Sequence, residues 1–177
     1  MKFAIYGPYE IPRSNGLVET AAASKNKFWA DVGASVTGLP DACGCYVFAV
    51  KARRGTLPWY VGLTTKRTFR DEALGYYQVI QYGQALGRKV GVKPMLFLLA
   101  KETPKGRFAK PSRNSHKDVE FLERFMFALA LNRNPKLRNT KNTRFLKKLV
   151  VPGVINSPRR PPKGSERELK AVLGSNK

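Results

Sequence analysis

The chain predicts a small α/β fold of the α+β kind, and three features carry that expectation. Residues 44–50 (GCYVFAV) and 58–62 (PWYVG) are short runs rich in β-branched and aromatic residues. The basic stretch between them contains Gly55, the pattern of a β-hairpin with a longer loop. A continuous apolar run, PMLFLLA at 94–100, is bounded by GVK and KETPKG and reads as a third, buried strand. Apolar residues recur at helical spacing in 64–80 and again after Ser115.

Taken in order, KFAIY near the start reads as an edge strand that stops at Gly7-Pro8. The same break makes the N-terminus too short an apolar run for a signal peptide. SKNKFWADVG reads as a short helix or turn with Phe28 and Trp29 packing inward. After the hairpin, Thr64 or Thr65 caps a helix whose inward stripe is Phe69, Ala73, Tyr76 or Tyr77, and Ile80. Gly75 weakens its second half. Residues 101–114, with Pro104, Gly106 and Pro111, form a loop. Ser115 opens the clearest helix, with a stripe of Val119, Leu122, Phe125 or Met126, Leu129 and Ala130 that ends before Asn134-Pro135. TRFLKKLVV is a further short element, and the tail is Pro-rich and basic, then weakly helical.

Composition narrows the partners. The 177 residues are 42% hydrophobic, enough for one core, and carry 33 Lys and Arg against 12 Asp and Glu, a formal charge of +21. Self-repulsion on that scale opposes a compact chain unless a polyanion compensates it. Nucleic acid is the expected partner, because phosphate neutralisation supplies most non-specific affinity. The charge is uneven: residues 1–100 hold 13 Lys and Arg against 6 Asp and Glu, residues 101–177 hold 20 against 6. The second part is the expected contact surface. A membrane partner is disfavoured, since no stretch approaches the ~20 apolar residues of a spanning helix. Cys43 and Cys45, one residue apart, exclude a disulfide framework, and with one His in the chain they cannot close a zinc shell. They are expected to be reduced thiols in a cytoplasmic protein.

The order of the remaining motifs is specific. Gly44-Cys45-Tyr46 lies on the first hairpin strand and Tyr60-Val61-Gly62 on the second. Arg70 follows Tyr60 by ten residues, Glu123 sits in VEFLERF on the following major helix, and Asn139 ends NPKLRN. This sequence of features, over roughly residues 42–142, resembles the GIY-YIG nuclease superfamily. The resemblance implies a small three-stranded antiparallel sheet flanked by helices, with residues 1–41 as an N-terminal extension packing on the core and 143–177 as a basic C-terminal extension. It implies a metal-dependent DNA endonuclease using Mg²⁺ or Mn²⁺, with Tyr46, Tyr60, Arg70, Glu123 and Asn139 as the site and Glu123 as metal ligand. Glu120 is the alternative carboxylate and Asn134 the alternative asparagine. Cys45 stands where the family has an aliphatic residue, and the helix after the hairpin carries no histidine.

The chemistry of the residues suits those roles. A hard divalent cation prefers oxygen ligands and keeps several waters, so one carboxylate plus a substrate phosphate can hold it. Bound there, it polarises the phosphate and acidifies a water. Arg70 offers a planar fork of donors to phosphate. Tyrosine is a weak base at its ordinary pKa of about 10, yet it can orient or deprotonate a water where cations favour the phenolate. Tyr46 and Tyr60 share parity, so both face one side of the sheet if the register pairs even positions with even. Arg53, Arg54, Lys66, Arg67, Arg138 and Lys141 are the expected backbone contacts to DNA, and cutting both strands at once would imply a homodimer. Singly, each residue has an ordinary reading: strand tyrosines packed for their bulk, a solvated arginine, a helix-surface glutamate, and His116 exposed in a first helical turn. The alternative function is a non-catalytic basic nucleic-acid-binding protein on the same scaffold.

Overall fold

A computed structural model describes residues 1–87, 89, 91–114, 116–139, 143–157 and 160–173. It is a mixed α+β fold. Strands β1 (Lys2–Glu10), β4 (Gly44–Ala52), β5 (Gly55–Thr64) and β6 (Lys93–Glu102) form one antiparallel sheet in the order β1-β6-β4-β5. The two-residue strands β2 (Arg13–Ser14) and β3 (Leu17–Val18) form a small separate ribbon. The helices are α1 (Ala22–Ser35), α2 (Phe69–Glu72), α3 (Tyr76–Leu86), α4 (Lys117–Arg133), α5 (Thr143–Lys148) and α6 (Ser165–Val172). None of them is long and apolar enough to cross a membrane.

Four strands, not three, make the sheet. The run expected to stop at Gly7-Pro8 continues to Glu10, because a register shift between Tyr6 and Tyr9 absorbs the break and pairing with β6 resumes at Leu96. The expected N-terminal extension therefore supplies one edge of the sheet itself. The hairpin is also tighter than expected: Ala52 pairs with Gly55, leaving only Arg53-Arg54 in the turn.

The sheet is covered on both faces. Along β4 the even residues Tyr46, Phe48 and Val50 join Leu96 and Leu98 of β6 in a core closed by Phe28, Trp29 and Val32 of α1 and by Val79, Tyr82 and Leu86 of α3. The odd residues Cys45, Val47, Val61 and Leu99 meet Val119, Phe127, Ala130 and Leu131 of α4. Burial on both faces explains why β4 and β6 read as near-continuous apolar runs. Cys43 and Cys45 are free and buried, and burial pushes both thiols up.

Gly44 is fixed by close approach: a Cβ there would lie 2.1 Å from the Leu99 carbonyl oxygen of β6. Phe69 and Ala73 pack inward as expected, but the helix does not start at Thr64 or Thr65. Thr68 caps it, its hydroxyl accepting from Asp71 N–H while the Asp71 carboxylate takes the Thr68 N–H, a capping box. The helix also breaks at Gly75, so α3 starts afresh there. In α3 Tyr76, Tyr77 and Ile80 are exposed, with Val79 and Tyr82 buried in their place.

In α4, Val119 and Ala130 are buried as expected and Leu122 and Met126 pack partly, but Phe125 and Leu129 face outward. Phe127 and Leu131 take the inner positions because α4 meets the sheet along an i, i+4 row from Val119, and a helix apolar on several faces does not announce which one it buries. Ser115, its expected start, lies outside the described residues. His116 occupies the N-cap position and is only half-exposed. Lys101 Nζ lies 3.1 Å from its Nδ1 and 2.8 Å from the Asp118 carboxylate. No residue of α6 is buried.

Candidate active site

The register decides where the two tyrosines go. Tyr46 pairs with Gly62 and Phe48 with Tyr60, so even positions face even ones and both tyrosines project from the same side of the sheet. Their rings stack with centroids 6.3 Å apart and an interplanar angle of 25°. The third residue of the second motif has a steric cause. A Cβ at Gly62 would stand 2.3 Å from Tyr46 Cζ and 2.4 Å from its hydroxyl oxygen, so the Tyr46 ring lies across the bare Cα. Tyr82 of α3 backs the pair, edge-on to Tyr60 and stacked on Phe48 at 3.9 Å, with its hydroxyl donating to the Ala73 carbonyl.

These rings form the inner wall of a cleft of about 670 Å³. Glu123 reaches it from α4, Asn139 from the segment after α4, and Arg67, Glu72, Tyr77 and Gln78 from the opposite side. Of the five residues expected at the site, four meet here. Arg70 does not: its guanidinium lies 3.2 Å from Asp41, and it is not among the residues lining the cleft. Arg67 is the arginine that lines the cleft. The Thr64 hydroxyl donates to the Arg67 carbonyl and closes the turn that presents it, and the Arg67 guanidinium lies 3.8 Å from Glu72.

The two alternatives separate as well. Glu123 lines the cleft and Glu120 does not. Asn134 donates to the Pro58 carbonyl at 2.7 Å and accepts from Lys136 N–H, outside the cleft. Asn139 is buried, and both ends of its amide are engaged: Val61 N–H donates to its Oδ1 at 2.9 Å and its Nδ2 donates to the Val61 carbonyl. It acts as a one-residue substitute for a neighbouring strand on the outer edge of β5. Its effect on the cleft runs through the position of Tyr60, next to Val61 in the chain.

The electrostatics follow from burial. Tyr46, 1% exposed, is pushed well above the ordinary phenol value by desolvation, reinforced by Tyr60 and Glu72, although Gln78 within hydrogen-bonding reach works the other way. Tyr60 is pushed up to about 12, again by desolvation first and then by Tyr77 and Glu123. Burial raises Glu123, against a smaller opposing pull from Arg124. Gln78 donates to Glu72 at 2.8 Å, so a polar thread runs from Glu72 through Gln78 to Tyr46 and on to Tyr60.

No group of three or more His, Cys, Asp or Glu that could hold a metal occurs among the described residues. The cleft instead offers the half-buried Glu123 carboxylate, for which no ion pair occurs among the described residues, a donor that fits a hard divalent ion keeping most of its waters and taking further oxygens from a phosphate. Asn139 is not a free ligand, since both amide atoms are in use.

Among the expected nucleic-acid contacts, Arg53 and Arg54 are exposed in the hairpin turn; Lys66 and Arg67 are exposed as well, and of these two Arg67 lines the cleft and Lys66 does not. Arg138 donates its backbone N–H to the Trp59 carbonyl at 2.8 Å and its guanidinium to Gln84 Oε1. Lys141 lies outside the described residues. Glu72, Gln78 and Tyr77 were missing from the sequence-derived set. The signal for them was the Thr68-x-x-Asp71 capping box, which moves the helix start to Phe69 and brings the acidic first turn and the Gly75 break beside the hairpin. No family model, no curated protein and no solved structure matches the chain.

Proposed function

We propose that the chain is a divalent-metal-dependent DNA endonuclease of the GIY-YIG kind, hydrolysing phosphodiester bonds in the cleft of Tyr46, Tyr60 and Glu123. The observation that carries this reading is the even-to-even register of the hairpin, which stacks both motif tyrosines on one face of a cleft that Glu123 enters from a helix on the sheet's other side.

In this reading a water attacks the scissile phosphorus and gives up a proton to the surrounding water, a new P–O bond forms, the ester P–O bond opposite it breaks, and the departing oxygen takes up a proton. Glu123 would hold Mg²⁺ or Mn²⁺, which when bound supplies Lewis-acid polarisation of the phosphate and a more acidic water. Arg67 takes the phosphate-binding role that the motif spacing assigned to Arg70, donating its guanidinium fork to the non-bridging oxygens. Tyr60 and Tyr46 hold the attacking water by their hydroxyls. Burial favours the phenol at both, so they serve as orienting donors and acceptors rather than as resident phenolates. Asn139 is a positioning residue that fixes the β5 edge beneath Tyr60. The net charge of +21 supplies the backbone grip on DNA.

Supercoiled plasmid incubated with the protein tests the reading. Mg²⁺ or Mn²⁺ should produce nicked circles, and chelation should stop it. Binding that weakens steeply with salt, with no strand cut under either metal, would replace the reading with that of a non-catalytic nucleic-acid-binding protein.

A further inference from the structure

A second recess lies one residue further along β5. Tyr60 opposes Phe48 while Pro58 opposes Ala49, so Trp59 is the extra residue of a β-bulge, a device that re-aims a side chain. Trp59 joins the same core cluster as Tyr60 and so sits on the tyrosine side of the sheet. It helps line a groove of about 210 Å³ with an apolar floor that includes Leu57 and Val92. Three cations, Arg54 from the hairpin turn, Lys89 from the loop after α3 and Arg133 from the last turn of α4, surround it, and no carboxylate is among the described residues that line it.

The site is built rather than incidental. The Lys89 ammonium stands 5.3 Å from the centre of the Trp59 ring, over its face. Arg13 donates to the backbone carbonyls of Lys89 and Val92 and to that of Gly16. Trp59 is held from the outer edge by the Arg138 N–H on its own carbonyl and the Asn134 amide on that of Pro58. An aromatic face covered by a long, movable lysine, with Arg54 and Arg133 lining the same groove, is the chemistry that takes a nucleobase by stacking as the ammonium swings aside to its phosphates, without regard to base identity.

We propose that this groove binds an unpaired nucleotide of a single-stranded segment, its base on Trp59 and its adjoining phosphates on Arg54, Lys89 and Arg133. The choice of DNA and the continuation of the strand into the neighbouring cleft rest on the nuclease reading. Trp59 and Tyr60 are consecutive, so their Cα atoms are about 3.8 Å apart and one strand reaches both recesses. The substrate class follows: DNA with an unstacked or single-stranded nucleotide beside the scissile phosphate, in preference to uninterrupted duplex.

The chain's other tryptophan, Trp29, is 2% exposed in the core, so a change in emission on binding reports Trp59. Titrating the full chain with a short oligothymidylate in chelator should quench emission saturably, and an equal-length duplex should quench it much less. Trp59→Phe should abolish the quench. Trp59→Ala should weaken single-strand binding roughly tenfold to a hundredfold, with duplex binding changed less than about twofold. Should Trp59→Ala fail to fold, the exposed pair Lys89→Ala and Arg133→Ala stands in. Together they should lower the magnitude of the salt slope for the single strand by roughly 0.7 for each cation removed. Unchanged emission while a labelled oligomer is bound, or equal losses for single strand and duplex, would overturn the proposal. Quenching without any cleavage in Mg²⁺ supports the groove and sinks the nuclease reading alone. Cleavage with a silent Trp59 does the reverse.

Discussion

The two edges of the sheet are finished in opposite ways. At β1 the outer backbone pairs with no strand among the described residues, and the edge carries a register shift, a proline and charge, with Lys2 paired at 2.7 Å to Glu102. At β5 the outer backbone is occupied: Asn134, Arg138 and Asn139 bond the Pro58, Trp59 and Val61 peptide groups in turn. The first edge only has to avoid pairing with another chain. The second carries Tyr60, Gly62 and Trp59, whose positions must be held closely for the proposed chemistry. A strand edge clamped by two side-chain amides and one backbone N–H is held in place yet leaves its face open, which a fifth strand with its own covering helix would not.

Substitutions at the two edges should therefore differ sharply. Asn139→Ala has the largest expected effect, because it strips partners from both the N–H and the carbonyl of the fully buried Val61. It should cost about 3 kcal/mol in chemical denaturation; a loss under 1 kcal/mol would mean that the β5 edge is not held by the amide. Gly62→Ala comes next, at about 2 kcal/mol, as the new methyl group forces the Tyr46 ring off its packed position. Near-ultraviolet dichroism should change with it, since the stacked tyrosines are displaced.

Asp118→Asn, at the start of α4 and away from either edge, should cost about 1–2 kcal/mol. Burial works to raise the Asp118 carboxyl, but the Lys101 hydrogen bond and charge hold it below the usual carboxylate value. A depressed folded-state value means that this stability is present above the unfolded pKa of about 3.9 and is lost as pH falls through the folded one. The wild-type and variant melting curves should accordingly converge at low pH. Lys2→Ala, at the open β1 edge, should leave the denaturation midpoint where it is, since its charge pair is exposed.

The same contrast explains what could be read from the residues alone. The hairpin was legible because β-branched and aromatic runs around a glycine-containing turn mark strands locally, and the parity of Tyr46 and Tyr60 reduced the site to one question of register. The helix carrying Glu123 was legible for its length. The β1 edge strand was legible only as far as Gly7-Pro8, which looks like a terminator unless a partner strand is known to bridge it, so its place as a fourth strand of the sheet was not. The α4 seam was hidden by Phe121, Phe125 and Leu129, apolar residues that the fold leaves exposed. The exchange of Arg70 for Arg67 turns on where a four-residue helix begins. The clamp by Asn139 depends on a chain segment returning to β5 from 78 residues away.

The most direct test of the central claim compares single-turnover plasmid nicking by Glu123→Gln and Glu120→Gln in Mg²⁺. Both residues sit on α4, three apart, but only Glu123 faces the cleft. The account predicts that Glu123→Gln lowers the rate at least about a hundredfold, as loss of a ligand to the catalytic ion requires, while Glu120→Gln stays within threefold of wild type. Equal rates in the two variants, or nicking that survives Glu123→Gln, would contradict it.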